Sequence, residues 1–117
     1  SLSSIREMWP AKRLTVAFQP HLYSRTNDFY PEFAKSLNLA DQVILLDIYP
    51  AREQPIPGVT SKLIADRLTV PFVRVTKEEF PEYVKENVKE GIFMTVGAGD
   101  IDRFIPVFTE MFNHPDC

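Results

Sequence analysis

Cysteine is almost absent from this chain of 117 residues, because Cys117, the last residue, is the only one. A single cysteine forms no internal disulfide, which excludes a disulfide framework and a multi-cysteine metal site. Long apolar runs are also missing, since the apolar stretches are of strand length and fall short of the roughly 20 residues that span a bilayer. No basic-then-apolar start resembles a signal peptide, so a cytoplasmic location is the default expectation.

A large excess of either charge is missing as well. The 13 Lys and Arg residues oppose 16 Asp and Glu residues, which gives a net charge of −3 without a long basic or acidic block. This balance argues against nucleic acid or a membrane surface as the main partner. The length and the 44% of hydrophobic residues suit one compact domain, which we expect over residues 1–117.

The first ten residues, SLSSIREMWP, lack an initiating methionine and read as the last turn of a helix that stops at Pro10. We interpret this start as the mark of a longer protein, although a cloning scar or N-terminal processing would also explain it. The expected domain therefore consists of a helical tail at 1–10, an α/β core at 11–112 and a short tail at 113–117.

Several catalytic motifs are missing. The chain has no G-x-x-x-x-G-K-[ST] phosphate loop and no G-x-S-x-G elbow. His114 lies in the C-terminal tail, so His21 has no second histidine placed to share a metal ion. We therefore expect no metal site.

What the chain does contain is a regular alternation of apolar runs and helical periodicity. The runs cover residues 14–18, 42–48, 71–75 and 91–96, and their continuous apolar character predicts parallel strands covered on both faces. Apolar side chains at helical spacing lie between and after them, and we expect these to be core: Phe29, Phe33, Leu37; Phe80, Val84, Val88; Ile101, Phe104, Phe108, Phe112. This order predicts an α/β, Rossmann-like fold, an open and mainly parallel sheet with helices on both faces.

Local signals predict where two of the helices begin. The sequence TKEE at 76–79 fits a capping box, in which Thr76 and Glu79 each bind the other's backbone amide. Pro81 predicts a kink or a late start for the helix that follows. Pro31 would be tolerated in the first turn of a helix capped near Asp28.

The loop FQPHLYSRT, residues 18–26, follows the first predicted strand and leads into a helix. In parallel α/β sheets ligands gather at the carboxyl ends of the strands. A helix N-terminus favours an anion there, Arg25 adds a fork suited to a carboxylate or phosphate, and His21 can donate or accept a proton. A solvated turn capped by Ser24 or Thr26 explains the same residues equally well.

Two later loops also follow strands. DIYPAREQPIPGVTS, residues 47–61, is long and stiffened by three prolines, and its Arg52 and Glu53 fit a surface ion pair or ligand contacts. VGAGDIDR, residues 96–103, places two glycines where a backbone can approach a ligand closely. A simple tight turn explains this last loop equally well, because Gly-x-Gly alone does not identify a nucleotide site.

Together and in this order, FQPHLYSRT, LLDIYPAREQPIPGVTS and GAGDIDR resemble the C-terminal domain of the bacterial Mur ligases. The resemblance runs from about residue 9 to 112 and implies a three-domain cytoplasmic enzyme of peptidoglycan synthesis. The two longer motifs are most similar to those of the members that join L-alanine to UDP-N-acetylmuramate through an acyl phosphate. There are two alternatives. The chain could belong to a related murein peptide ligase, or it could be a stand-alone α/β module that binds a small anion or a protein.

The resemblance also implies site residues. Arg25 would bind the alanine carboxylate, and His21 would line the same pocket as a contact or a proton acceptor. Several relatives carry a second arginine where this chain has Leu22, which puts the strength of the carboxylate clamp in doubt. The full set of implied substrate-binding residues is His21, Tyr23, Arg25, Thr26, Gly97, Ala98, Gly99 and Asp100.

The family's other binding sites, those for ATP, Mg²⁺ and the UDP-sugar, are absent from the chain. The resemblance implies that ATP and Mg²⁺ bind mainly to a central domain, and that an N-terminal domain binds the UDP-sugar. These two domains would be the partners of this one, with UDP-N-acetylmuramate and L-alanine as substrates. We therefore expect the 117 residues to fold without catalysing the reaction and to hold no cofactor of their own.

Overall fold

The structure is a computed structural model that describes residues 7–8, 11, 13–88 and 91–97. Within these residues strands and helices alternate along the chain. The elements are β1 (Leu14–Gln19), α1 (Tyr23–Leu37), β2 (Gln42–Leu46), α2 (Lys62–Ala65), β3 (Phe72–Val75), α3 (Phe80–Asn87) and β4 (Ile92–Gly97). The strands coincide closely with the apolar runs of the sequence.

All strand pairs of the sheet are parallel, in the order β3-β2-β1-β4. Val16 of β1, for example, lies beside Val43 of β2 on one side and Met94 of β4 on the other. The chain moves outward from β1 to β3 and then crosses back to place β4 on the far side of β1. The strand order therefore reverses between β1 and β4, and in such sheets this is where ligand crevices form.

Helices cover both faces of the sheet, as the sequence predicts. On one face Ala34 and Leu37 of α1 and Ile64 of α2 pack in a single core with the central strands. On the other face Phe80, Val84 and Val88 pack against Ile44 and its neighbours, and all three are fully or almost fully buried. The Rossmann-like fold class and the apolar stripe of α3 are thus confirmed.

The predicted capping box precedes α3. The Thr76 amide donates to Glu79 Oε1 at 2.9 Å, and the Glu79 amide donates to Thr76 Oγ1 at 3.1 Å. Pro81 lies in the first turn of the helix, where its missing N–H costs little. The late start predicted from Pro81 is therefore confirmed.

Two predictions for α1 are wrong. The helix begins at Tyr23 and not near Asp28, so Pro31 lies inside it. An interior proline removes one helical hydrogen bond, but the carbonyl that loses its donor belongs to the exposed Asn27, where water can replace it. Phe29 is not a core residue either, since 45% of it is exposed.

The prediction that every strand is covered on both faces fails at β3. This strand lies at the edge of the sheet, and 42% of Phe72 is exposed. In contrast, every residue of the central strand β1 is buried. Residues 98–117 lie outside the described part of the chain, and so do the predicted stripe at 101–112, the tail at 113–117 and most of the tail at 1–10.

Candidate functional site

The first two candidate loops are joined where β1 and β2 end. The Leu22 amide donates to the Tyr49 carbonyl and the Tyr49 amide donates to the Pro20 carbonyl, each at 2.8 Å. His21 and Tyr49 form a parallel bridge, and their ring centroids are 5.6 Å apart. The pairing of β1 with β2 thus continues beyond the strands and places the exposed His21 beside the second loop.

Leu22 marks a sharp turn between this bridge and α1. Its φ of 73° is rare for a residue with a side chain and costs about 1–3 kcal/mol. The Leu22 carbonyl accepts bonds from the Thr26 amide at 3.1 Å and from Thr26 Oγ1 at 2.8 Å. Because Thr26 is fully buried and its hydroxyl is engaged in this way, it supports the turn that carries His21.

The anion expected at the start of α1 is present within the chain, as the Glu53 carboxylate. The Ser24 amide donates to Glu53 Oε1 at 3.0 Å, and the Ser24 hydroxyl donates to Glu53 Oε2. The capped-turn interpretation, in which Ser24 caps the helix, is therefore not what the structure has, because the Ser24 hydroxyl binds Glu53. The second loop supplies the cap.

A tight turn in YPARE brings Glu53 to this position. The Glu53 amide donates to the Pro50 carbonyl at 2.9 Å, and Ala51 within the turn has a φ of 52°. The hydroxyl and the amide of Ser24 lower the pKa of Glu53 below its ordinary value, with smaller contributions from the Tyr23 amide and the nearby His21, while burial acts in the opposite direction. Glu53 therefore stays ionised, bound to Ser24.

Arg25 lies on the exposed side of the first turns of α1. Its Cζ atom is 5.6 Å from the centroid of the Phe29 ring, which is one helical turn further along. A guanidinium stacked on a ring keeps its in-plane N–H donors free for a carboxylate. The helical spacing did not predict the exposure of Phe29, whose ring contacts both Arg25 and the Phe33 ring.

A cleft of about 450 Å³ opens on the other side of the second loop, between the segments that follow β2 and β3. Gln19, at the end of β1, forms part of its wall. Among the described residues, Gln19 Oε1 is a buried acceptor without a hydrogen-bond partner, although only 6% of Gln19 is exposed. Sequence reasoning did not select Gln19 as a site residue, although a polar residue at the end of an apolar strand is a signal for one.

The third candidate loop begins at Gly97, the last residue of β4 and the Cα partner of Gln19. Ala98, Gly99 and Asp100 lie outside the described residues. The structure thus brings His21, Tyr23, Arg25 and Thr26 together at the carboxyl edge, and places the end of β4 beside the end of β1. Tyr49 joins them as a residue that the sequence did not predict as a site residue. Glu53, for which the sequence allowed either a surface ion pair or ligand contacts, binds Ser24.

Across residues 7–8, 11, 13–88 and 91–97, no group of three or more His, Cys, Asp or Glu side chains is placed to hold a metal ion. Within the same residues, no helix combines the length and the apolar character needed to cross a membrane.

The fold and the site define an open, parallel, Rossmann-like α/β domain whose candidate ligand residues lie on loops at the carboxyl edge of the sheet. No protein-family model matches the chain. Individual relatives do, and they identify the chain as a homologue of one segment of the UDP-N-acetylmuramate–L-alanine ligases. The resemblance to the Mur ligases that the loop motifs carry is thereby confirmed.

The ligase of this name from Phocaeicola vulgatus is 51% identical over 115 residues, which are 97% of this chain and 25% of that protein. The one from Parabacteroides distasonis is 47% identical over 95% of the chain and 24% of its own length. A crystal structure of UDP-N-acetylmuramate-alanine ligase MurC from Thermotoga maritima matches with a TM-score of 0.62 and 30% identity, over 93% of this chain and 23% of that one. The chain thus spans about a quarter of the length of the relatives that it matches.

Proposed function

We propose that the chain is the C-terminal domain of a cytoplasmic ligase that joins L-alanine to UDP-N-acetylmuramate. The observation that carries this proposal is the 51% identity to such a ligase over 97% of the chain. In the reaction, the lactyl carboxylate is phosphorylated by ATP to an acyl phosphate, with release of ADP. The amine of L-alanine then attacks the acyl carbon, the amide bond forms, and phosphate leaves.

The residues of the first loop would receive the alanine. Arg25 is exposed at the start of α1 and would bind the alanine carboxylate through charge-assisted hydrogen bonds. His21, which is exposed beside Tyr49, would contact the ammonium end or accept a proton from it. Tyr23 and Thr26 would support this pocket, because Tyr23 begins α1 and Thr26 holds the turn at Leu22.

The third loop would complete the pocket from the side of β4. Gly97 ends β4 next to β1, and the backbone of residues 97–100 would lie near the amino acid or the acyl intermediate. Leu22 stands where several relatives have an arginine, so Arg25 would bind the carboxylate without that second cation from this loop.

ATP and Mg²⁺ would be held mainly by another domain. The described residues include no acidic or histidine cluster suited to a metal ion, and the sequence contains no phosphate loop to hold a nucleotide. The isolated 117 residues are therefore expected to be inactive. Closure of this domain over the others would exclude water from the acyl phosphate, which hydrolysis would otherwise destroy.

Arg25→Ala in the full-length ligase tests this assignment. We expect the KM for L-alanine to rise by about 10- to 100-fold, because a charge-assisted hydrogen bond contributes about 1.5–3 kcal/mol. The KM values for ATP and the UDP-sugar should stay unchanged. Arg67→Ala is a matched control, since Arg67 is also exposed and stacks on a ring, that of Tyr30 at 5.2 Å, outside the three loops.

The same kinetics separate the alternatives. If Arg25→Ala leaves the alanine KM unchanged, Arg25 is not the carboxylate ligand. Turnover with a peptide substrate in place of L-alanine would indicate the murein peptide ligase reaction. Ligand binding by the 117 residues, with no ligase activity in the full-length protein, would indicate a stand-alone binding module.

A further inference from the structure

Glu53 occupies the position at which a free anion was expected, and it links two of the site loops. We propose that Glu53 is a positioning residue for the ligase reaction: its carboxylate fills the N-terminus of α1, holds the segment that carries His21 and Arg25, and leaves the alanine carboxylate to Arg25. This inference rests on the proposed function and assigns a role to a residue that does not itself touch the substrate.

Glu53 binds inside the segment that carries His21 and Arg25. Ser24, which donates both its amide and its hydroxyl to Glu53, lies between His21 and Arg25 in the chain. The backbone bonds of Tyr49 with Pro20 and Leu22 fix the other end of the same segment. The segment is therefore attached to the second loop on both sides of the turn at Leu22, and Glu53 provides the attachment nearer to Arg25.

The negative charge of Glu53 lies at the N-terminus of α1. The first amides of a helix have no intrahelical partner and favour a negative charge. Glu53 already accepts the Ser24 amide, so a substrate carboxylate at the same amides would meet a like charge at close range. Arg25 stacks on Phe29 with its fork exposed, and it is the cation of this segment that can receive a second carboxylate.

A rival role has the opposite consequence. If Glu53 were a placeholder that the substrate carboxylate displaces from the α1 amides, its removal would free those amides and strengthen alanine binding. If Glu53 positions the loop, its removal releases the segment and weakens alanine binding. The direction of the change in the alanine KM therefore distinguishes the two roles.

The test is steady-state kinetics of the full-length ligase with Glu53→Ala and Glu53→Gln. For Glu53→Ala we expect the KM for L-alanine to rise about tenfold, as for the loss of one charge-assisted hydrogen bond, with the KM for ATP unchanged. Glu53→Gln keeps an acceptor for the Ser24 amide, so the increase in the KM for L-alanine should be smaller in this variant. Glu32→Ala, which removes an exposed glutamate of α1, should leave all three KM values unchanged. An alanine KM that falls or does not move in Glu53→Ala overturns the proposal.

A second measurement does not depend on ligase activity. In the 117-residue chain, hydrogen exchange of the Ser24 amide should accelerate in Glu53→Ala and stay at the wild-type rate in Glu32→Ala. An unchanged Ser24 exchange rate in Glu53→Ala refutes the attachment whatever the full-length protein does. Conversely, wild-type protein without alanine-dependent turnover refutes the proposed function, while the exchange result still decides whether Glu53 holds the segment.

Discussion

Replacing Gly91 by alanine should destabilise the fold more than the same change at Gly58. Both glycines have a positive φ, 88° and 80° respectively, so an alanine at either position adds about 1–2 kcal/mol of backbone strain. At Gly58 a Cβ would meet no atom within 4 Å, whereas at Gly91 it would lie 2.2 Å from the Arg13 carbonyl oxygen. Gly58 is therefore a matched control for the effect of φ alone.

The close approach at Gly91 adds a second cost. The Arg13 carbonyl accepts the Ile92 amide at 2.8 Å, a bond that ties the start of β4 to β1. Moving Arg13 away from a new Cβ would break this bond, which contributes about 0.5–1.5 kcal/mol. We expect Gly91→Ala to lower the free energy of unfolding by about 3 kcal/mol and Gly58→Ala by about 1 kcal/mol.

Urea denaturation of the 117-residue chain, followed by circular dichroism, measures both values. The slope of the free energy against urea should stay the same in the two variants, so that the midpoints can be compared directly. Equal losses at the two positions would refute the reasoning, because they would mean that no backbone atom approaches Gly91.

Three further predictions concern other parts of the chain. Thr76→Ala removes the acceptor of the Glu79 amide and should cost about 1 kcal/mol by the same urea assay. Phe80→Ala, at a fully buried position at the start of α3, should cost about 3–5 kcal/mol in thermal unfolding, unlike the same change at the exposed Phe72 at the edge of the sheet. The third concerns pH. Because the pKa of Glu53 is lowered on folding, the stability that its ionised carboxylate contributes to the fold is fully present above about pH 4.5. This stability is lost as the pH falls through the lowered pKa. Protection of the Ser24 amide should therefore decrease only below about pH 4.5, and a loss that sets in at higher pH would contradict this prediction.

The fold could be predicted from the sequence because its signals are local and consistent. The apolar runs around Val16 and Val43 are too continuous for a strand with a wet face, and the spacing of Phe80, Val84 and Val88 is that of a helix with one buried side. Strand order could not be predicted, since nothing in a single run shows which neighbour it pairs with. The start of α1 was missed for a related reason: the bond that begins it comes from Glu53, which is distant in the sequence.

The site was only partly predictable. His21 and Arg25 belong to a motif with recognisable chemistry, and the fold puts both at the carboxyl edge of the sheet. The role of Glu53 was not visible, because it depends on a turn that folds YPARE back onto the start of α1. The spacing of Phe29 is that of a core residue, whereas 45% of it is exposed and its ring contacts Arg25 on the surface as well as the Phe33 ring. Pairings between loops are set by tertiary structure, and periodicity within one segment does not reveal them.

The most direct test of the account is ADP release by the full-length protein that contains this segment. We expect sustained release, over many turnovers, that requires both UDP-N-acetylmuramate and L-alanine, because the amine must consume the acyl phosphate before the next cycle begins. We expect none from the 117 residues alone under the same conditions. Sustained release that is independent of L-alanine, or any release with the isolated 117 residues, would contradict the assignment of this chain as one domain of an alanine-adding ligase.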